Sequence, residues 1–159
     1  MSDDTSKAAP STAGPYAGRT CIILNPNAGQ DETARLRRKL GGAFAARQAP
    51  FDLITTQHAG HATQIAREAA ALGYRAVCVV GGDGTLAEAA TGLAGSMVPL
   101  AIIPRGTANQ VARNLRIPVA FEAAVDVAVR GVPTPIDMGR INGRSFALVK
   151  STSSDFPQA

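Results

Sequence analysis

The 159-residue chain has no tryptophan, and aromatic residues make up 4% of it. That argues against a surface that binds single-stranded nucleic acid by stacking, and no nucleic-acid partner is expected. Lysine is scarce, with only Lys7, Lys39 and Lys150, and no G-x-x-x-x-G-K-[ST] run occurs, which excludes a P-loop nucleotide site. There are two cysteines, Cys21 and Cys78, each inside an apolar run. With no secretory h-region behind the acidic N-terminus, they read as core thiols of a protein in a reducing compartment, which points to the cytoplasm. Apolar runs stay under ten residues, short of the roughly 20 needed to span a bilayer.

Hydrophobic residues make up 45% and charged residues 18%, the balance of a globular domain. The net charge of +4 is uneven. Residues 1–18 and 151–159 each carry −1, so the segment between them carries +6. Thirteen of the 16 basic residues are arginine, whose planar forks suit phosphate and carboxylate. Arg35, Arg37, Arg38 and Arg47 nevertheless read first as one solvated helix face.

Residues 1–18 are rich in Ala, Pro, Ser, Gly and Thr without periodicity and are expected to form a disordered leader. From Arg19 on, strands and helices alternate. Strands are expected at 21–24, 51–55, 76–80 and 99–103, and helices at 31–48, 60–72, from the Gly81 turn through Leu93, at 108–115 and at 119–130. Gly73 reads as a helix C-cap and Pro118 as a helix start. The run Ala76-Val77-Cys78-Val79-Val80 is apolar throughout, as expected for a central parallel strand covered on both faces. Alternation of this kind predicts an α/β fold with helices on both faces of a parallel sheet. Residues 134–141 and 144–150 flank Asn142-Gly143, a hairpin signal. His58 and His61 read as loop and helix-start residues, because no acid or thiol beside them completes a metal set. Phe44, Phe51, Ile65 and Phe121 read as core.

Three glycine-bearing turns follow predicted strands: Asn25-Pro26-Asn27-Ala28-Gly29, Gly81-Gly82-Asp83-Gly84-Thr85 and Gly106-Thr107-Ala108-Asn109. Ligands of open α/β sheets bind where strands end and helices begin. Glycine lets the backbone approach a phosphate, and the next helix offers free N–H groups. Asp83 is the odd member, since a bare carboxylate repels phosphate. It fits a nucleotide-bound Mg²⁺ or a ribose hydroxyl; the plainer alternative is a helix N-cap. Residues 82–87 match the loose G-x-G-x-x-A dinucleotide pattern. The acid expected about 20 residues later is missing, which weakens a hydride-transfer reading.

Taken together, these segments resemble the diacylglycerol kinase catalytic domain family. Asn25 to Gly29 resembles its N-P-x-x-G opening, and Thr56 with Gly60-His61-Ala62 its T-x-x-x-G-[HD]-A segment. Gly81 to Leu86 with Glu88 resembles its G-G-D-G-T-[LI]-N-E signature. Pro104 to Asn109 with Ala112 resembles its P-x-G-T-x-N-x-x-A turn, and Ile136 to Gly143 its I-D-[LM]-x-x-[VI]-N-G strand. The resemblance implies a three-layer α/β/α, phosphofructokinase-like fold shared with NAD kinases, and ATP- and Mg²⁺-dependent phosphorylation of a diacylglycerol-like lipid hydroxyl. It implies an ATP site at Asn25, Pro26, Asn27, Ala28, Gly29, Thr56, Gly81, Gly82, Asp83, Gly84, Thr85, Leu86, Glu88, Gly106, Thr107 and Asn109. Asp83 would hold the nucleotide's Mg²⁺.

Two positions depart from the family pattern: Ala87 replaces a usual Asn, and Gln110 a common Asp. Beyond Phe146 the sequence no longer follows the family, whose second, β-rich domain supplies a general base and much of the lipid pocket. The expectation is therefore a nucleotide-binding half at 19–150 with a tail at 151–159. A non-catalytic nucleotide-binding module and an NAD kinase are the alternatives. Peripheral association with an anionic membrane fits the substrate class and the +6 segment; self-association is left open.

Overall fold

A computed structural model of the chain describes residues 14–26, 29–141 and 144–147. The elements in chain order are β1 (Thr20–Leu24), α1 (Gln30–Ala46), β2 (Phe51–Thr55), α2 (His61–Leu72), β3 (Ala76–Gly81), α3 (Asp83–Leu93), β4 (Leu100–Pro104), α4 (Gln110–Asn114), α5 (Phe121–Arg130), β5 (Met138–Ile141) and β6 (Arg144–Ala147).

β1 to β4 form one parallel sheet in the order β2-β1-β3-β4. The two inner strands, β1 and β3, are buried along their whole length. Their uninterrupted apolar runs follow from that: successive side chains alternate faces, and both faces are covered. Cys21, Ile23, Val77, Val79 and Ile102 join one core with α2 and α3. Ile22, Leu24, Cys78, Val80 and Ile103 join a second with α1 and α5. The result is the expected three-layer α/β/α sandwich. Each thiol is sealed in one of these cores, and burial pushes both up to about 12.

α1 turns Leu36, Leu40, Ala43 and Phe44 inward, an i, i+4, i+7, i+8 stripe. α2 ends on Gly73 in the left-handed region, φ 78°, as its sequence signalled. α2 and α3 pack unusually closely: a Cβ at Gly92 would lie 2.3 Å from the Thr63 carbonyl oxygen, and the Thr63 hydroxyl donates to the Glu88 carbonyl at 2.9 Å.

Several expectations need correction. Arg47 is not part of a solvated face. Its side chain is only 12% exposed and donates to Asp126 at 2.8 Å and to Glu122 at 2.9 Å, so it ties the end of α1 to α5. Charge along the sequence could not show this, because its partners lie 75 and 79 residues away. Residues 14–18, expected within the leader, form a turn whose Tyr16 ring stacks on Tyr74 at 4.5 Å. Pro118 precedes α5, which starts at Phe121, and α4 is a single short turn. Residues 134–137 are not strand; the antiparallel pair is 138–141 with 144–147, and Asn142-Gly143 lies outside the described residues. Phe51 and Phe121 pack at the edge of the core and are half-buried, whereas Phe44 and Ile65 are fully inside it.

Candidate functional site

The chain leaves β1 toward β2 on one side, then crosses back to β3 and on to β4. The order of the sheet therefore reverses between β1 and β3. The carboxyl ends of those strands flank the crevice that open α/β sheets use for ligands. All three glycine turns meet there.

The first and second turns are joined by Asn25. Its backbone N–H donates to the Val80 carbonyl at 3.2 Å, and its side-chain amide donates to the Thr85 hydroxyl at 2.8 Å. Thr85 is consequently buried and engaged by Asn25, not held free at the surface. A Cβ on Gly81 would press on Thr85 at 3.2 Å.

The second and third turns meet backbone to backbone. A Cβ on Gly106 would lie 2.7 Å from the Gly82 Cα, and one on Gly82 would lie 3.2 Å from the Gly106 Cα. No other residue fits at Gly106 without moving the main chain of the second turn. The Arg105 N–H donates to the Gly81 carbonyl at 2.9 Å, which adds a second tie. Asn109 closes the third turn on itself: its amide side chain accepts from the Gly106 N–H and donates to the Gly106 carbonyl, both at 2.8 Å. Asn109 adopts φ 48°, a left-handed conformation that asparagine tolerates.

Asp83 does cap a helix, though not its own. Its two carboxylate oxygens accept from the backbone N–H groups of Gln110 at 3.0 Å and Val111 at 3.2 Å, at the start of α4. The first turn of α4 is thereby supplied with a negative charge from within the protein. The start of α3 differs. Gly82 precedes it with no side-chain cap, and a Cβ on Gly84 would meet nothing within 4 Å. The first-turn amides of α3 have no acceptor inside the helix, whereas those of Gln110 and Val111 in α4 are taken by Asp83.

The remaining expected residues fall around this centre. Thr56 is buried, and its N–H donates to the Leu24 carbonyl at 2.8 Å, holding the end of β2 beside β1. Thr107 is exposed on the third turn, and Glu88 is half-buried one turn into α3. Leu86 is a core side chain, so only its backbone lies near the crevice. Pro26 and Gly29 are exposed at the rim, while Asn27 and Ala28 lie outside the described residues. His58 and His61 stack at 4.8 Å, with His61 accepting from the Gln57 N–H; no group of three or more metal-ligating side chains occurs among the described residues. No described helix is long and apolar enough to cross a membrane. Sequence reasoning gave Arg105 no role. It sits in the third turn yet pairs with Glu32 of α1, and a variable turn position carried no signal of that.

Fold and site together define a three-layer α/β domain with an uncapped helix N-terminus at its switch point, framed by three interlocked turns. The chain belongs to the diacylglycerol kinase catalytic domain family, which matches residues 19–141. It is 38% identical over 133 residues to a diacylglycerol kinase of Bacillus subtilis, covering 80% of this chain and 43% of that protein. It is 33% identical over 130 residues to one of Staphylococcus carnosus, covering 80% and 42%. A crystal structure of a diacylglycerol kinase from Bacillus anthracis superposes with a TM-score of 0.66 at 31% identity, covering 81% of this chain and 45% of that one. The chain thus spans less than half the length of these relatives.

Proposed function

We infer that residues 19–150 form the nucleotide-binding part of an ATP-dependent lipid kinase, which transfers the γ-phosphoryl group of ATP to a diacylglycerol-like hydroxyl. The observation that carries this is the backbone contact of Gly82 with Gly106, which sets the open end of α3 beside the third turn. Mg·ATP, when bound, supplies the transferable phosphoryl group and a cation that offsets its charge.

The residues present fit that group. The amides of Asp83, Gly84 and Thr85 open α3 without a cap, and open space faces Gly84. Phosphoryl transfer depends on positioning and charge neutralisation more than on covalent chemistry from the protein. Fixed N–H dipoles at a helix start provide both with no lysine. Asn25, Thr85, Gly81, Gly82 and Gly106 would hold the loops rigid, and Thr107 and Glu88 would stand at the rim. Asp83 spends one lone pair of each oxygen on α4 and keeps the others, so it would face the nucleotide's Mg²⁺ with its orientation already fixed. In this reading the acceptor pocket and the general base come from outside these turns, and peripheral contact with an anionic membrane brings the lipid within reach.

Calorimetry of the full chain with Mg·ATP, paired with transfer from ATP to diacylglycerol in mixed micelles, tests this. Saturable Mg·ATP binding that falls by about tenfold or more in Gly106→Ala and Asp83→Asn is expected. Binding without transfer would reduce the chain to a nucleotide-binding module. Binding unchanged in both variants, or absent in the parent, would sink the assignment of the site.

A further inference from the structure

A cavity lies on the α1/α5 face of the sheet, bordering the third turn at Pro104 and Arg105. α1 and α5 cover the same face of the sheet and are clamped together by Arg47. Toward the carboxyl ends of β3 and β4 they part, leaving a cleft of about 270 Å³. Its apolar walls are Leu36, Val80, Ile103 and Phe121, and its charged lining is Arg35, Lys39, Arg105 and Glu32. Three cations therefore stand against one carboxylate around an apolar floor.

The cations are not all satisfied from within. Glu32 pairs with Arg105, and Lys39 sits over the Phe121 ring at 4.1 Å. Arg35 is exposed and has no ion pair among the described residues. An inorganic anion would neutralise the rim yet leave the floor wet. A neutral hydrocarbon would cover the floor and leave the cations facing nothing. The lining carries a net charge of +2, and a phosphate monoester carries about −1.5 to −2 at neutral pH.

We propose that this cleft is a separate binding site for a phosphate monoester on a short apolar body. The ester group meets Arg35, Lys39 and Arg105, and the apolar part lies against Phe121, Val80 and Ile103. Arginine forks recognise such a group through paired charge-assisted hydrogen bonds. The ester would compete with Glu32 for Arg105. None of the uncapped α3 amides lines the cleft, but Arg105 belongs to the third turn, so the cleft borders the proposed ATP site and ATP binding is measured beside it.

Calorimetry of the full chain with hexyl phosphate is the test. Hexyl phosphate should bind at least about tenfold tighter than inorganic phosphate or hexanol, because each of those makes only half of the contacts. Arg35→Ala should weaken it by about tenfold. Val119→Glu, at a cleft-lining residue that is 62% exposed, should weaken it comparably while leaving thermal unfolding unchanged. Cosedimentation with phosphatidylcholine vesicles, with and without phosphatidic acid, separates the sources. Arg35-dependent capture by phosphatidic acid assigns a membrane lipid, and hexyl phosphate binding without capture assigns a soluble ester. The proposal is overturned if hexyl phosphate does not bind, if hexanoate binds as well, or if both variants bind like the parent. Displacement by ATP together with loss in Gly106→Ala would also overturn it, by moving the ligand to the turns. Mg·ATP binding in the same preparation keeps the two sites apart: either can fail while the other stands.

Discussion

Two helical glycines, Gly92 in α3 and Gly42 in α1, make opposite predictions for the same substitution. Glycine inside a helix costs about 0.5–1 kcal/mol relative to alanine, so propensity alone says that both Gly→Ala changes stabilise. The surroundings decide otherwise for Gly92. A Cβ there would lie 2.3 Å from the Thr63 carbonyl oxygen, 2.9 Å from the Ala66 Cβ and 3.1 Å from the Arg67 nitrogen. Two of these three atoms are backbone, so no rotamer change relieves the clash; α2 and α3 must separate. Separation strains the Thr63–Glu88 hydrogen bond and opens the core around Ala66 and Ala89. Overpacking of this kind costs about 1–3 kcal/mol, which exceeds the propensity gain. Gly92→Ala should therefore lower stability by about 1–2 kcal/mol. For a chain of this size that is a fall in Tm of about 2–8 °C. A Cβ on Gly42 meets nothing within 4 Å, so Gly42→Ala should raise Tm by about 2–4 °C. Thermal melts and urea titrations of the two variants beside the parent, with unchanged m-values, measure both. A Gly92→Ala protein as stable as the parent would refute the claim that α2 and α3 touch through this glycine.

Other residues make independent predictions. The Thr20 hydroxyl is buried and has no hydrogen-bond partner among the described residues. Thr20→Val should therefore stabilise the fold by about 1 kcal/mol in a urea titration, and a loss would show that the hydroxyl is satisfied. Cys21 and Cys78 are fully buried with thiols pushed up to about 12; a thiol reagent at pH 8 should label neither in the native chain and both in denaturant. Asp52 is held below its ordinary range by hydrogen bonds from Arg19 and Tyr74, and Asp126 by hydrogen bonding from Arg47. A depressed carboxyl stabilises above its unfolded value near 4 and loses that contribution as pH falls through the folded value. Unfolding midpoints should therefore drop below about pH 4, less steeply in Asp126→Asn, and a midpoint insensitive to acid would contradict both pairings.

Much of this architecture was legible in the sequence, for definite reasons. The run at 76–80 has no polar residue to give it an outer face, and β3 is central and fully buried. Gly73 marked the end of α2 because only a left-handed residue closes a helix that way. The three turns could be recognised by their glycines, and at Gly81, Gly82 and Gly106 the chain touches itself. What could not be read was which group each turn grips. Asp83 looked like a ligand residue or the cap of its own helix, and it caps α4 across 27 residues. Arg47 looked solvated because its partners belong to α5. Gly92 gave no sign at all, since a glycine near a helix end resembles an ordinary weak position until the neighbouring helix is placed against it.

The roles of the two helix starts follow from a single carboxylate. α3 and α4 both begin at glycine-bearing turns and both leave amides without acceptors. If both were open, a polyphosphate could bridge them in more than one register. Asp83 lies in the first turn of α3 and spends its charge on α4. This caps the start of α4, leaves the start of α3 uncapped, and sets a negative group beside it. An anion arriving at α3 without a cation would face that carboxylate, whereas one already chelated to Mg²⁺ would not. Replacing Asp83 with asparagine should thus do two things at once. It should weaken the start of α4, because a side-chain amide presents only one acceptor oxygen to the two N–H donors. It should also relax the preference for metal-chelated over free nucleotide. Calorimetry with ATP in EDTA and in excess Mg²⁺ separates these effects, since a purely structural Asp83 would lower both affinities by the same factor.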